Sequence, residues 1–262
     1  MNAITLDFID LGIASALIVL TGTVSFVLRL GLERQLAVAA VRTVVQLLLV
    51  GYVLNWVFGL DNPWAVGGLA LIMVAAASRA AVQRPRHTFT GITGRAFLSL
   101  AASGLLTTLM VTTVIIKVEP WYRPQYVIPL LGMILGNGLT GLSLCLDQLL
   151  ETFAERRARV ELELALGATR WEAARGPVAD GVRRGMIPII NSMMVVGIVS
   201  LPGMMTGQIL AGENPLNAVK YQIVVMFMIA ASAAFSSLFM GWFVFRSAFN
   251  PRHQLRPVVR RR

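Results

Sequence analysis

The chain has 262 residues, of which 56% are hydrophobic and only 14% charged, and its mean hydropathy is +0.71. That excludes an ordinary water-soluble domain, because so few polar residues cannot furnish a wettable surface around a core. The net charge of +10 admits either nucleic acid or membrane as a partner, and the placement of the basic residues along the chain decides between them.

A helix needs about 20 mostly apolar residues to cross roughly 30 Å of hydrocarbon. Read from one ionisable residue to the next, the charge-free runs are 11–28, 43–60, 62–78, 96–116, 124–146, 185–212 and 221–245. They are continuous rather than alternating, as in Leu47-Leu48-Leu49-Val50 and Ala75-Ala76-Ala77, which predicts helices and not a barrel. The third run is the shortest, and Arg79 at its end extends its effective span by snorkelling. The expected fold class is therefore all-α: a polytopic membrane helical bundle of seven transmembrane helices, forming a single transmembrane domain over residues 1–262.

The basic residues orient it. Arg29, Arg34 and Arg42 follow the first run, and Arg79, Arg84, Arg86 and Arg95 follow the third. Arg156, Arg157, Arg159, Arg170, Arg175, Arg183 and Arg184 follow the fifth. The tail carries Arg246, Arg252, Arg256, Arg260, Arg261 and Arg262. Only Lys117, Arg123 and Lys220 of the 23 Lys and Arg fall on the other face. Excess Lys and Arg marks cytoplasmic connections, so the N-terminus is expected outside and the C-terminus inside. Arginines that flank hydrophobic runs serve topology and anionic lipid headgroups, and no nucleic-acid partner is expected. Asp7 and Asp10 stand where a signal peptide would be basic, so the first run is read as a retained span. The single cysteine, Cys145, lies in an apolar run and reads as packing; His87 and His253 fall at the cytoplasmic ends, and no metal-ligand spacing occurs.

One connection differs from the rest. Residues 147–184 form a cytoplasmic segment of 38 residues. Within it, 156–166 lacks Pro and Gly and predicts a helix; Gly167 interrupts, and Thr169-Arg170-Trp171-Glu172 reads as a capping box opening a second helix that runs to Gly176-Pro177. From the residues alone, this is either an amphipathic helix lying on the membrane surface or a docking element.

Glu161, Ala165, Leu166-Gly167-Ala168-Thr169 and Glu172-Ala173 resemble the cytoplasmic loop by which permeases of ATP-binding-cassette transporters dock into a groove of their ATPase, with Leu162-Glu163 where the importer version prefers Ala-Ala. Further strings resemble the FetB family, also called YbbM. They are Val45-Gln46-Leu47 through Gly51-Tyr52-Val53-Leu54, Ile128-Pro129 with Gly132-Met133-Ile134 and Gly136-Asn137, Ser200-Leu201-Pro202-Gly203-Met204-Met205-Thr206-Gly207, and Lys220-Tyr221-Gln222-Ile223. The resemblance runs from about residue 35 to Leu255. It implies a bacterial inner-membrane permease subunit of a cassette system implicated in iron export, working as a homodimer with a cytoplasmic ATPase. The ATPase-coupling residues it implies are Glu161, Ala165, Gly167, Ala168, Thr169, Glu172 and Ala173.

No Gly-x-x-x-x-Gly-Lys-Ser/Thr loop occurs, and both lysines lie on the outer face. The chain is thus expected to bind no cofactor, and ATP to act on the partner subunit. Proton relays place Asp, Glu or His within a span, and the seven runs contain none, which disfavours a gradient-driven transporter; a scaffold that transports nothing is the third class. Copurification of a cassette ATPase separates both from the leading reading.

For a pathway, the sixth run is longer than a crossing requires and contains Pro188 and Pro202. A break near 202–203 is expected, because Pro202 lacks an amide donor and Gly203 lowers helix propensity. Candidate pathway residues are Gln46, Asn137, Asn191, Pro202, Gly203, Met204, Met205 and Gln208, with helix-bridging as the alternative role of the polar ones. Met193, Met194, Met204 and Met205 offer thioethers, which favour soft ions, so packing is the expected role and no iron ligand set is visible. Gly132-x-x-x-Gly136 and Gly203-x-x-x-Gly207 have the spacing for close helix approach, within the chain or across a dimer.

Overall fold

The computed structural model describes residues 7–60, 62–250, 254–255 and 259–260. Among them are nine α-helices: α1 (Phe8–Val27), α2 (Glu33–Leu60), α3 (Pro63–Gln83), α4 (Ile92–Met110), α5 (Pro124–Glu155), α6 (Arg157–Ala165), α7 (Arg170–Val195), α8 (Gly203–Leu210) and α9 (Pro215–Ala248). A π-helical turn, Val111–Ile115, prolongs α4. Helix starts follow local chemistry. Asn62 and Asn214 cap α3 and α9 by accepting from the amides of Trp64 and Leu216, both at 2.9 Å, and Pro63 and Pro215 occupy first-turn positions where a missing amide costs nothing.

Among the described residues, six helices are long and apolar enough to cross a membrane: α1, α2, α3, α4 with its π turn, α5 and α9. The seventh expected span, 185–212, is not one helix. It is divided between the end of α7, a loop over 196–202, and the eight-residue α8. The charge-free part of α7, residues 185–195, rises about 16 Å and α8 about 12 Å, each roughly half a hydrocarbon core. A break is present, but it spans 196–202 rather than 202–203: α7 ends at Val195, and Pro202 and Gly203 mark the cap and first residue of α8. Gly197 turns the chain at φ +83°, and the Pro202 carbonyl accepts the first helical bond of α8 from Thr206 N at 3.0 Å.

The long segment 147–184 also departs from expectation. Its first nine residues continue α5 without interruption to Glu155, and the second helix does not stop at Gly176-Pro177 but runs on as α7 to Val195, through Pro177 and Pro188. An interior proline costs about 3 kcal/mol in a helix standing alone. Here Ala173, Ala174, Pro177, Val178, Gly181 and Gly185 are buried along the helix, so packing against α5 and α9 holds the chain helical where propensity would end it.

The core is the bundle of α3, α4, α5, α7 and α9, with α5 at its centre. Leu131, Ile134, Leu142, Leu146 and Leu149 are wholly buried on α5. In lipid, association depends on close packing rather than on escape from water, and small residues set that closeness. A methyl group on Gly185 would lie 2.6 Å from the Gly141 carbonyl oxygen and 2.6 Å from Ser237 Oγ; one on Gly181 would lie 3.0 Å from the Cys145 carbonyl. The seam therefore joins α5, α7 and α9. It does not use Gly136, Gly203 or Gly207, where an added methyl would meet no other element within 4 Å, and a methyl on Gly132 would meet only Met73 Cε at 3.5 Å. Cys145 is fully buried in this seam, its thiol directed at the Ser237 carbonyl at 3.6 Å, consistent with a packing role.

The α1–α2 hairpin stands apart. Ser25 Oγ accepts from Leu32 N and donates to Glu33 Oε2, both at 3.1 Å, which closes the hairpin. Leu47, Leu48 and Leu49 are exposed, as are Ile13 and Leu17. An apolar surface of that extent belongs in lipid or against another membrane chain.

The α3–α4 link, the α5–α6 boundary and the described tail residues meet at one end of the bundle. Arg86 N donates to Asp147 Oδ1 at 3.0 Å, joining the α3–α4 link to α5. Strand β1 (His87–Thr88) pairs antiparallel with β2 (Val259–Arg260), and Arg157 Nη2 reaches the Leu255 carbonyl at 3.4 Å, so the tail folds back over this end. Arg252, Arg256, Arg261, Arg262 and His253 lie outside the described residues, as do residues 1–6.

Candidate functional site

Two places carry functional geometry, one at each end of α7. The first is the α6–α7 corner. Helix α6 covers nearly the predicted stretch, with i,i+4 pairs Arg157–Glu161 at 2.9 Å and Arg159–Glu163 at 3.0 Å. Both pairs are solvent-exposed and worth no more than about 0.5 kcal/mol each. Gly167 sits at φ +94°, the left-handed region that glycine enters without a Cβ penalty. Its amide donates to the Leu164 carbonyl at 3.1 Å and the Ala168 amide to the Glu163 carbonyl at 3.0 Å. These are the two bonds of a Schellman termination.

Thr169 then opens α7. Its Oγ1 accepts from Glu172 N at 3.2 Å, while Glu172 Oε2 accepts from Thr169 N and from Thr169 Oγ1, both at 2.7 Å. The capping box predicted from four residues is thus formed. Hydrogen bonding from the Thr169 backbone, then from its hydroxyl, holds the Glu172 carboxyl below its ordinary value of 4.5. The corner is therefore a stop followed by a start, with Ala168 alone between Gly167 and the cap.

Around this corner, Ala173 is buried against the bundle, whereas Glu161, Ala165, Gly167, Thr169 and Glu172 are exposed and Ala168 is half-buried. Leu162 is 59% exposed and Leu166 79%. Both leucines stand beside the Gly167 turn. A notch of about 180 Å³ lies between α6 and α7, lined by Arg156, Arg159, Glu163, Glu172 and Gly176 among others. An aromatic series that sequence spacing does not reveal fastens the corner to the bundle: Trp171 stacks edge-on to Phe245 at 5.3 Å, Phe245 meets Phe249 at 6.0 Å, and Phe249 meets Phe153 at 6.3 Å.

The second place is a cavity of about 670 Å³ at the opposite end. Ile116, Gln125, Tyr126, Pro129, Leu130 and Met133 line it from the π turn and the start of α5; Met204, Gln208, Ala211, Gly212 and Glu213 line it from α8 and its exit; Tyr221 and Val225 line it from α9. From Met133 to the end of α5 is 22 residues, about 33 Å, so the cavity and the corner are separated by roughly a bilayer's thickness. Helix α7 spans that distance and is joined by the 196–202 loop to α8.

Of the predicted pathway residues, Met204 and Gln208 reach this cavity. Pro202 and Gly203 start the helix that carries them, and Met205, on the same helix, is buried. Asn137 is exposed on α5 and donates to its own helix, to the Met133 carbonyl at 2.9 Å. Asn191 is exposed on α7, and Gln46 is exposed on α2, outside the central bundle. Sequence reasoning missed Gln125, Tyr126, Glu213 and Tyr221. They lie at the ends of charge-free runs, and the available signal was that all those ends share the face poor in arginine. Among the described residues no group of three or more His, Cys, Asp or Glu is placed to hold a metal ion.

Six apolar helices, a broken half-helix pair and a cavity between them define a multi-pass helical membrane protein. Residues 8–249 match the family described as Uncharacterised protein family (UPF0014), and the chain belongs to it. Its relatives include a UPF0014 membrane protein of Synechocystis, 43% identical over 86% of this chain and 87% of that one. The probable iron export permease protein FetB of Escherichia coli is 31% identical over 97% of both chains. The protein ALUMINUM SENSITIVE 3 of Arabidopsis thaliana is 35% identical over 94% of this chain and 89% of that one. No solved structure matches.

Proposed function

We propose that this chain is the permease subunit of an ATP-binding-cassette transporter that exports a metal ion, iron foremost, from the bacterial cytoplasm, and that it works as a homodimer with two copies of a separate ATPase. The observation that carries the reading is the α6–α7 corner. A Schellman stop, a capping box and two exposed leucines form a rigid knob, and the helix that begins there runs unbroken to the loop before α8. The likeness to the permease FetB of Escherichia coli supports iron as cargo and export as direction. The arginine-rich end, which bears the knob, is the cytoplasmic one on this reading.

The mechanism follows from the mechanics. ATP-driven closure of the two ATPase subunits presses on Leu162, Leu166 and the Gly167 turn. A helix fixed at both caps passes the push along its axis, whereas a floppy loop would absorb it. The glycine seam makes α5 and α9 move with α7, and the displacement reaches α8 through the 196–202 loop. The α8 cavity then opens to one side or the other. Exposed Gly203 and Gly207 are free to face a second copy of the chain across the membrane.

Copurification is the direct test. The full chain, co-expressed with its cassette ATPase, is expected to retain it through detergent extraction, and Leu166→Arg to lose it while the permease itself stays folded. Retention of the ATPase by Leu166→Arg and by Gly167→Val, with normal metal-stimulated hydrolysis in both, would falsify the coupling role.

A further inference from the structure

We infer that the α8 cavity is a cation site that reads its ligand through the hydration shell, with Gln208, Glu213 and the hydroxyls of Tyr126 and Tyr221 accepting hydrogen bonds from metal-bound water. The cation class rests on the permease reading above. The outer-sphere mode rests on the lining itself.

Size is the first argument. A bare metal ion held by protein ligands needs only its coordination shell, yet the half-open cavity measures about 670 Å³, the range of sites that take a small molecule. A hydrated cation fills such a space better than a naked one does.

The second argument is the chemistry of the wall. Gln208 Oε1 is buried and has no hydrogen-bond partner in the protein. A buried acceptor left without a donor is costly, and water on a metal ion is a strong donor. Glu213 adds a carboxylate, its Oε1 accepting from Asn217 Nδ2 at 3.3 Å. Lys117, Arg123 and Lys220 are near in sequence, but none lines the cavity. Glu213 is therefore the only formally charged side chain in the lining, and it is negative.

The third argument is what the wall lacks. Iron(II) and its neighbours are held directly by imidazole, carboxylate or thiolate sets, and among the described residues no such group of three exists. Met133 and Met204 supply thioethers, which suit soft ions and leave a hard hydrated dication unligated. A lining of acceptors and apolar walls holds a cation that keeps its water. It also releases that cation without ligand exchange, which is what a site on a transport path requires.

Hexaamminecobalt(III) tests the mode, because its inert ammine shell donates hydrogen bonds and cannot be displaced by a protein ligand. The probe is titrated calorimetrically into the full-length chain in phosphatidylcholine nanodiscs, with no ATPase present. One site per chain is expected, with affinity falling roughly tenfold in Glu213→Gln and in Gln208→Leu and unchanged in Gln35→Leu, an exposed position on α2. Manganese(II), followed by electron paramagnetic resonance, should be displaced by the cobalt complex. Absence of binding, equal affinity in all variants, or manganese that the cobalt complex fails to displace would overturn the proposal. Glu213 lies on the exposed α8–α9 link, so its variant folds even where Gln208→Leu does not. The ATPase plays no part in this measurement, so loss of coupling and loss of the cation site are separately visible.

Discussion

Replacing Gly185 by alanine puts a methyl carbon 2.6 Å from a backbone carbonyl oxygen on α5, 2.6 Å from Ser237 Oγ and 3.1 Å from Cys145 Cβ. Ordinary contact begins at 3.4 Å, so α5 and α7 must separate by about 0.8 Å, and the atom in the way belongs to a helix backbone that cannot rotate aside. Overpacking of this kind costs about 1–3 kcal/mol, against a gain of at most about 1 kcal/mol from alanine's better helix propensity. Gly136→Ala supplies the control, since it carries the same propensity gain and meets no other atom within 4 Å. The difference between the two variants isolates the contact. Thermal unfolding of each in the same detergent should place Gly185→Ala clearly below wild type and Gly136→Ala at or above it. If Gly185→Ala is as stable as Gly136→Ala, the seam is not closed as described, and the mechanical link between α5 and α7 fails with it.

At Gly167, φ +94° penalises any side chain, so Gly167→Val should cost more than about 1 kcal/mol and Gly167→Asn less, because asparagine tolerates the left-handed region; unfolding midpoints and ATPase stimulation are expected to fall in the same order. Glu172 offers a pH test. Its carboxyl is held below 4.5 in the folded chain, so the cap's contribution is present above that value and is lost as pH falls through the lower folded value. Wild type should therefore exceed Glu172→Gln in stability at pH 6, and the gap should close in acid; a gap that widens in acid would reverse the assignment. Trp171→Ala removes the edge-on contact with Phe245, worth about 0.5–1.5 kcal/mol beyond its buried area. It is expected to reduce ATPase stimulation more than ATPase binding, as a titration of the partner subunit would register.

By itself the sequence determined what composition and short-range chemistry can decide. Charge-free runs locate α1 to α5 and α9 because the length of a crossing is set by the bilayer and not by the neighbouring helix. Gly167 and Thr169-x-x-Glu172 define the corner because a left-handed stop and a capping box are completed within six residues. The break before Gly203 is legible for the same local reason, since a proline has no amide to give. Everything requiring distant atoms was decided by tertiary structure. Gly176-Pro177 reads as a stop, yet α7 passes through it, and through Pro188, because α5 and α9 pack along it. Gly132, Gly136, Gly203 and Gly207 have the spacing of a helix seam, but the seam lies at Gly141, Gly181 and Gly185, because close approach depends on which face a crossing helix meets. The pathway candidates share a polar character, yet only Met204 and Gln208 share a cavity, with Glu213 and Tyr221 added from the ends of elements. A polar side chain in a span announces itself in one dimension, and what it faces exists only once the helices have packed.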